Sequence, residues 1–181
     1  MSRLPDLQVE ELTAEQKRIY DEIAGPRGGV VRGPFPIWLR NPDLADRANQ
    51  LGNTLRLHAK LEKRLFELMV LTIARHWSAQ YEWYSHAKSA LKAGISPEIV
   101  EAVRDRRLPE FGREDERLVY EIITELVETR TLSQPSYDRV LAALGLDLLI
   151  ELITAAGFYT MVAMVLNTFD APVPSGERPL R

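Results

Sequence analysis

Arg75-His76-Trp77-Ser78-Ala79-Gln80-Tyr81-Glu82-Trp83-Tyr84-Ser85-His86 is the densest run of reactive side chains in the chain. Glu82 and His86 stand four positions apart, so on a helix their side chains share a face. A carboxylate beside an imidazole fixes its tautomer, which is how a general acid/base is poised. Spacing alone leaves a second reading open: an exposed helical Glu–His pair of no consequence, which is common.

Working outward, helical periodicity dominates and no segment alternates like a strand for long. Upstream, Leu61, Leu65, Leu68, Val70 and Leu71 mark one amphipathic run. Downstream, Ser78 is placed to cap a helix carrying Tyr81, Ala87, Ala90 and Leu91, and Gly94 stops it. Ser96-Pro97-Glu98 opens a short helix ending near Arg104, and a long helix is expected from about Arg113 to Thr129. Thr13 and Gln16 form a capping box for a first helix that Gly25-Pro26 closes. The glycine- and proline-rich stretch from Gly25 to Asn41 reads as a loop. Asn41-Pro42 then opens a helix with Leu44, Ala48, Leu51 and Leu55. Ser133 caps a helix ending at Gly145, and the tail from Ala171 reads as extended. The expectation is an all-α single domain spanning residues 1–181.

Composition sets the outer bounds. The chain has 181 residues, a 45% hydrophobic and 27% charged make-up, and a net charge of −3. Those are globular values, and the charge gives no electrostatic reason to expect nucleic acid. It has no cysteine, so disulfides, thiolate nucleophiles and any thiol peroxidase cycle are excluded for this chain. No apolar run follows the N-terminal Met-Ser-Arg, and the expectation is a cytoplasmic protein. From Leu152 to Phe169 there are 18 residues without a charge, at the lower limit for a membrane span. Acidic residues (Glu151, Asp170) flank that stretch and polar ones interrupt it, so it is read as a helix buried on nearly all sides, in the core or in a subunit interface, with no membrane partner.

The residues around His86 resemble the carboxymuconolactone decarboxylase/alkylhydroperoxidase D superfamily. Members share an acidic residue on one helix, followed by a Cys-x-x-Cys-x-x-x-His motif. Here the histidine falls on His86, the second cysteine on Glu82, the first on Ala79 and the upstream acid on Glu67. The likeness continues through His86-Ala87-Lys88-Ser89-Ala90-Leu91-Lys92-Ala93-Gly94 and Ser96-Pro97-Glu98-Ile99, giving a core motif at 61–104. Family peroxide reduction depends on the two thiols, which Ala79 and Glu82 replace. The decarboxylases resemble this chain in having Glu four residues before the histidine. Their Gln/Tyr/Gly/Pro-rich segment after the next short helix is not matched by Ala102-Val103-Arg104-Asp105-Arg106-Arg107.

The resemblance implies an alkylhydroperoxidase D-like helical bundle, assembling as a homotrimer or hexamer. It also implies a cofactor-independent lyase acting on a small carboxylate or lactone. In that reading His86 delivers the proton, Glu82 orients it, and Glu67 is a relay or second base. Isomerisation or hydrolysis of a related lactone would use the same parts. The alternative is a non-catalytic oligomer with the same fold, and a cavity reaching His86 and Glu82 would separate the two.

Arg75 is the candidate for binding a substrate carboxylate, or more simply for pairing with Glu67 or Glu82. Trp77, Tyr81, Trp83 and Tyr84 are expected in the core, with Tyr81 and Trp83 the candidates to line a pocket. Glu82 and His86 supply two ligands where a metal needs three or more, so no metal is expected. The Arg27–Gly33 stretch lacks a phosphate-loop ending. It is placed to fold over a site, with Arg27 or Arg32 attracting an anion. Arg104, Arg106 and Arg107 read as a solvated turn.

Overall fold

A computed structural model describes residues 2–174 and 176–180, and among these every regular element is helical. The longer helices are α1 (Ala14–Ala24), α3 (Pro42–Leu57), α4 (Lys63–His76), α5 (Gln80–Ala93), α6 (Pro97–Arg104), α7 (Glu114–Thr129) and α8 (Gln134–Thr168), with α2 (Phe35–Trp38) a single turn. Four of the predicted caps form. Thr13 and Gln16 close a reciprocal capping box on α1, while Asn41, Ser96 and Ser133 each accept from a first-turn backbone N–H.

Helix α4 is the axis of the molecule. Every residue from Arg64 to Arg75 is buried, because α5, α7 and α8 pack around it. One side of α4, with Leu65, Phe66, Met69 and Ile73, joins the larger core formed with α1, α3, α7 and α8. The opposite side, with Leu68, Leu71 and Ala74, joins Trp83, Ile95, Ile99 and Val103 in a second core. Truncating a fully buried Leu68 or Leu71 to Ala would cost about 2–5 kcal/mol. At the head of α4, the buried Arg64 guanidinium meets Glu62, Asp115 and Glu116, with its Nη atoms 2.7 Å from each of the last two. That cluster anchors α4 to α7.

Several expectations are corrected. The Gly25–Asn41 stretch contains the turn of 3-10 helix Gly25–Arg27 and α2, whose Phe35 and Trp38 are buried. Ser78 does not cap α5. It takes a left-handed backbone (φ 49°), and its Oγ accepts from Arg75 and Arg106 while Ala79 serves as an N-cap without a side-chain bond. On α3 the buried face is Ala45, Ala48, Asn49, Gly52 and Leu55, whereas Leu44 and Leu51 point outward. Arg104 pairs with Asp105, and Arg106 bonds to the Arg75 carbonyl, so that turn is not simply solvated.

Gly145 does break α8 as the sequence predicts, with φ 77° and ψ 167°, a backbone favouring glycine. Beyond it, α8 packs one face on α4 through Leu152, Ala155, Ala156, Tyr159, Val162 and Leu166. The stretch from Leu152 to Phe169 is not buried on nearly all sides within one chain: Thr154, Gly157, Met164 and Asn167 are exposed, and so are Leu146 and Ile150 just before it. By length and composition this helix could cross a membrane, a test that a core helix also passes. The tail crosses back over α5, where Gln80 forms two hydrogen bonds with the backbone of Leu180 (2.8 and 3.0 Å).

Candidate active site

Helices α3, α5 and α8 and the loop after α1 enclose a cavity of about 590 Å³, ordinary for a small-molecule site. The α5 face supplies Tyr81, Glu82 and His86. The α8 face supplies Phe158 and Tyr159, α2 brings Phe35 and Trp38, and α3 brings Gly52 and Arg56. Arg27, Arg32 and Gly33 come from the loop. Gly33 has φ +69°, and a Cβ there would lie 3.1 Å from Tyr81 Cε1, so glycine permits the loop to close on α5.

Glu67 reaches His86 from behind the cavity wall. His86 Nδ1 lies 2.7 Å from Glu67 Oε2, and Lys63 Nζ lies 2.6 Å from Glu67 Oε1. Burial would lift the Glu67 carboxyl, but the bonds from His86 and then Lys63 outweigh it and hold it below the usual carboxylate range. An ionised Glu67 accepts from Nδ1–H, which leaves Nε2 as the nitrogen not committed to Glu67. The Tyr159 ring stands edge-on to the imidazole, centroids 5.1 Å apart, and restricts its rotation.

Glu82 behaves differently from its expected role. It is 2% exposed and neither carboxylate oxygen has a hydrogen-bond partner, so it does not hold His86. Burial pushes its carboxyl well above the usual range, which favours the neutral form at the cavity wall. The carboxylate bonded to His86 is therefore Glu67, in place of the expected Glu82.

The other candidates separate. Tyr81 lines the cavity. Trp83 does not: it is 3% exposed and packs in the second core with Leu68 and Leu71. Arg75 does not line this cavity: α4 ends at His76, and the Arg75 guanidinium donates to Ser78 Oγ, with neither Glu67 nor Glu82 as its partner. Arg27 lines the cavity as the loop reading anticipates, and Arg56 is the residue the sequence reading missed. Its signal was faint: an arginine on an amphipathic helix with no acid at i±4. Among the described residues no group of three or more His, Asp or Glu is placed to hold a metal ion.

Residues 42–123 match the model of the carboxymuconolactone decarboxylase family. No curated protein sequence matches the chain. Among solved structures, a peroxidase-related protein from Silicibacter sp. TM1040 superposes with a TM-score of 0.75 at 16% identity, over 94% of this chain and 90% of that one. A peroxidase-related protein with an alkylhydroperoxidase AhpD core, from Ralstonia eutropha JMP134, gives 0.76 at 14% identity, over 95% and 92%. A cysteine-to-alanine form of the debrominase Bmp8, in complex with 2,3,4-tribromopyrrole, gives 0.77 at 14% identity, over 99% and 96%. Identities this low establish the shared fold. The chain thus has the alkylhydroperoxidase D-like helical fold in a cysteine-free form, and the segment that carries Glu67, Glu82 and His86 is the one that matches the carboxymuconolactone decarboxylase family model.

Proposed function

We propose that the cavity is the active site of a cofactor-independent carboxy-lyase, similar to gamma-carboxymuconolactone decarboxylase, acting on a small unsaturated ring acid such as a carboxylated lactone. The observation that carries this reading is the Glu67–His86 pair, 2.7 Å apart, opening onto a cavity that also presents the unpartnered carboxyl of Glu82. In the reaction the bond between the ring and its carboxylate breaks. The electron pair passes into the conjugated carbonyl as carbon dioxide leaves, giving a dienolate. The neutral Glu82 carboxyl donates a hydrogen bond to the developing oxyanion, as a protonated acid in an apolar site can. The imidazolium of His86 then delivers its proton to carbon, steadied by the Glu67 carboxylate, and regains one from solvent. The same groups would serve an isomerisation.

The aromatic wall of Phe35, Trp38, Phe158 and Tyr159 suits a planar ring, and the debrominase neighbour holds a planar ring too. A thiol-dependent step is not open to this chain, which has no cysteine. The cavity reaching His86 and Glu82 also favours an enzyme over a scaffold that shares the fold. Carbon dioxide release from gamma-carboxymuconolactone and a panel of small unsaturated lactone acids tests the reading. Turnover by the native protein, lowered ~10²–10⁴-fold in His86→Gln, is expected. No release from any of them, or equal release by both proteins, would return the chain to the scaffold reading.

A further inference from the structure

We infer that Arg27 and Arg56 form a carboxylate-receiving subsite, positioned by Asn53, that holds the anionic group a substrate keeps throughout the reaction. Arg27 Nη1 donates to the Ile23 carbonyl (2.7 Å), and its Nη2 donates to Asn49 Oδ1 (3.2 Å) and Asn53 Oδ1 (3.3 Å). Arg56 Nε donates to the Gly52 carbonyl (3.0 Å), and its Nη2 donates to the same Asn53 Oδ1 (3.1 Å). One amide oxygen therefore gathers two guanidinium groups against the cavity wall. The Phe35 ring supports the Arg27 plane from 4.7 Å.

Every hydrogen-bond partner of these two cations is neutral. Among the described residues no carboxylate lies within salt-bridge distance of either. Arg64, by contrast, meets three acids. Burial and then the neighbouring Arg56 charge both ease the Arg27 guanidinium down from its ordinary value, the mark of paired cations without a counter-ion. Two half-buried like charges held together at a cavity wall repel, and an anion between them relieves that repulsion. Guanidinium forks match the planar, two-oxygen geometry of a carboxylate. The adjacent Trp38 and Phe158 rings would then take the body of the ligand.

The anion held here is not the one that leaves. A departing carboxylate loses its charge on the way to carbon dioxide, so a cationic clamp upon it would stabilise the ground state more than the transition state and slow the reaction. Resting on the lyase reading above, the substrate carries a second, retained carboxylate. A monocarboxylate seated here would instead be a substrate for proton transfer alone.

Benzoate, with neutral benzamide as its isostere, tests the subsite by calorimetric or NMR titration of the full chain. Saturable benzoate binding in the millimolar range is expected, as befits so small a ligand, with benzamide at least about tenfold weaker. Arg56→Gln and Asn53→Asp should bring benzoate down to the benzamide level while leaving benzamide unchanged. A merely structural role for Asn53 would move both probes together. Arg56→Lys should fall between, keeping charge without the fork, and it carries the test with Asn53→Asp if circular dichroism shows that Arg56→Gln does not fold. No saturable benzoate binding, equal affinity for benzamide, or a native preference in Asn53→Asp overturns the subsite. His86→Gln should bind benzoate normally. A benzoate preference that depends on Arg56, in a protein whose His86→Gln form turns over normally, would sink the lyase reading and leave the subsite standing.

Discussion

Glu67 accepts from His86 Nδ1 with one carboxylate oxygen and from Lys63 Nζ with the other, at 2.7 and 2.6 Å. Both oxygens are thus engaged, which fixes the direction of the imidazole and favours an ionised Glu67. Glu67→Gln preserves shape but removes the charge, and its amide N–H can donate to Nδ1, favouring the wrong tautomer. Turnover in Glu67→Gln should fall ~10²–10⁴-fold, close to the loss in His86→Gln, with the helical signal unchanged. Steady-state rates of the two variants check this, and a Glu67→Gln enzyme near native activity would refute the pairing as functional.

Glu82 gives the opposite signature. Its folded-state carboxyl is raised by burial, so the folded protein holds this proton at pH values where the unfolded chain has released it. Its contribution is fully present below the unfolded carboxyl range and is lost as pH rises from there through the raised folded value. Glu82→Gln mimics the neutral acid and cannot ionise. The variant should match the native protein near pH 4 and melt higher at neutral to alkaline pH, while losing turnover because the oxyanion donor is weaker. Thermal melts across pH for both proteins decide it. A variant less stable than the native protein at pH 8 would mean that Glu82 is ionised and paired.

That His86 is bonded to Glu67 and not to Glu82 shows where the sequence stops being readable. Spacing of four on one helix is visible in a linear chain, and it put Glu82 beside His86. The actual partner sits 19 residues away on α4, and only the packing of α4 against α5 brings it there. Caps at Thr13, Asn41, Ser96 and Ser133 were legible because each is a local bond within three residues. Ser78 misled because an arginine from α4 and another beyond α6 claim its hydroxyl. Trp83 and Tyr81, two positions apart, face different sides of α5, and nothing in their identities says which side is hollow. Arg56 became visible only once Asn53 joined it to a loop from another part of the chain.

Gly52 lies in the interior of α3, where a Cβ would come 3.0 Å from Cζ of the cavity residue Phe158. Gly52→Ala gains up to about 1 kcal/mol of helix propensity. The Phe158 ring must give by a few tenths of an ångström, and the empty cavity beside it offers the room. Stability should therefore change little, whereas benzoate affinity should drop as the ring intrudes. Titration and a melt on the same preparation measure the two effects separately. Unchanged affinity would show that ligands do not reach this wall.

Thiol-dependent peroxide reduction should be absent. The chain has no cysteine that could pass through a sulfenic acid, and Ala79 and Glu82 stand where the family motif has its thiols. Reduction of cumene hydroperoxide coupled to a dithiol donor should remain at the level of the reaction without protein. Robust turnover would require a peroxide chemistry that none of the cavity side chains explains.

The outer face of α8 is the strongest argument for self-association. Leu146, Ile150 and Met164 recur at helical spacing and are each about half exposed, with Ile153 and Met161 partly open beside them. Asp147 and Glu151 border the start of the stripe, but no charge interrupts the helix from Leu152 to Phe169, so most of its length lacks the charged residues that would keep it comfortable in water. A second copy of the chain is the expected cover, since identical apolar stripes can meet across a symmetry axis without leaving a charge buried. Light scattering or sedimentation at micromolar concentration should report an oligomer. Ile150→Glu places a carboxylate in the middle of the stripe, where burial in an interface would be costly and solvent exposure is not. The variant should therefore shift towards the 20.6 kDa monomer while keeping its helical content. A native protein that sediments as a clean monomer would defeat the expectation. An oligomer that Ile150→Glu leaves intact would place the interface on another face.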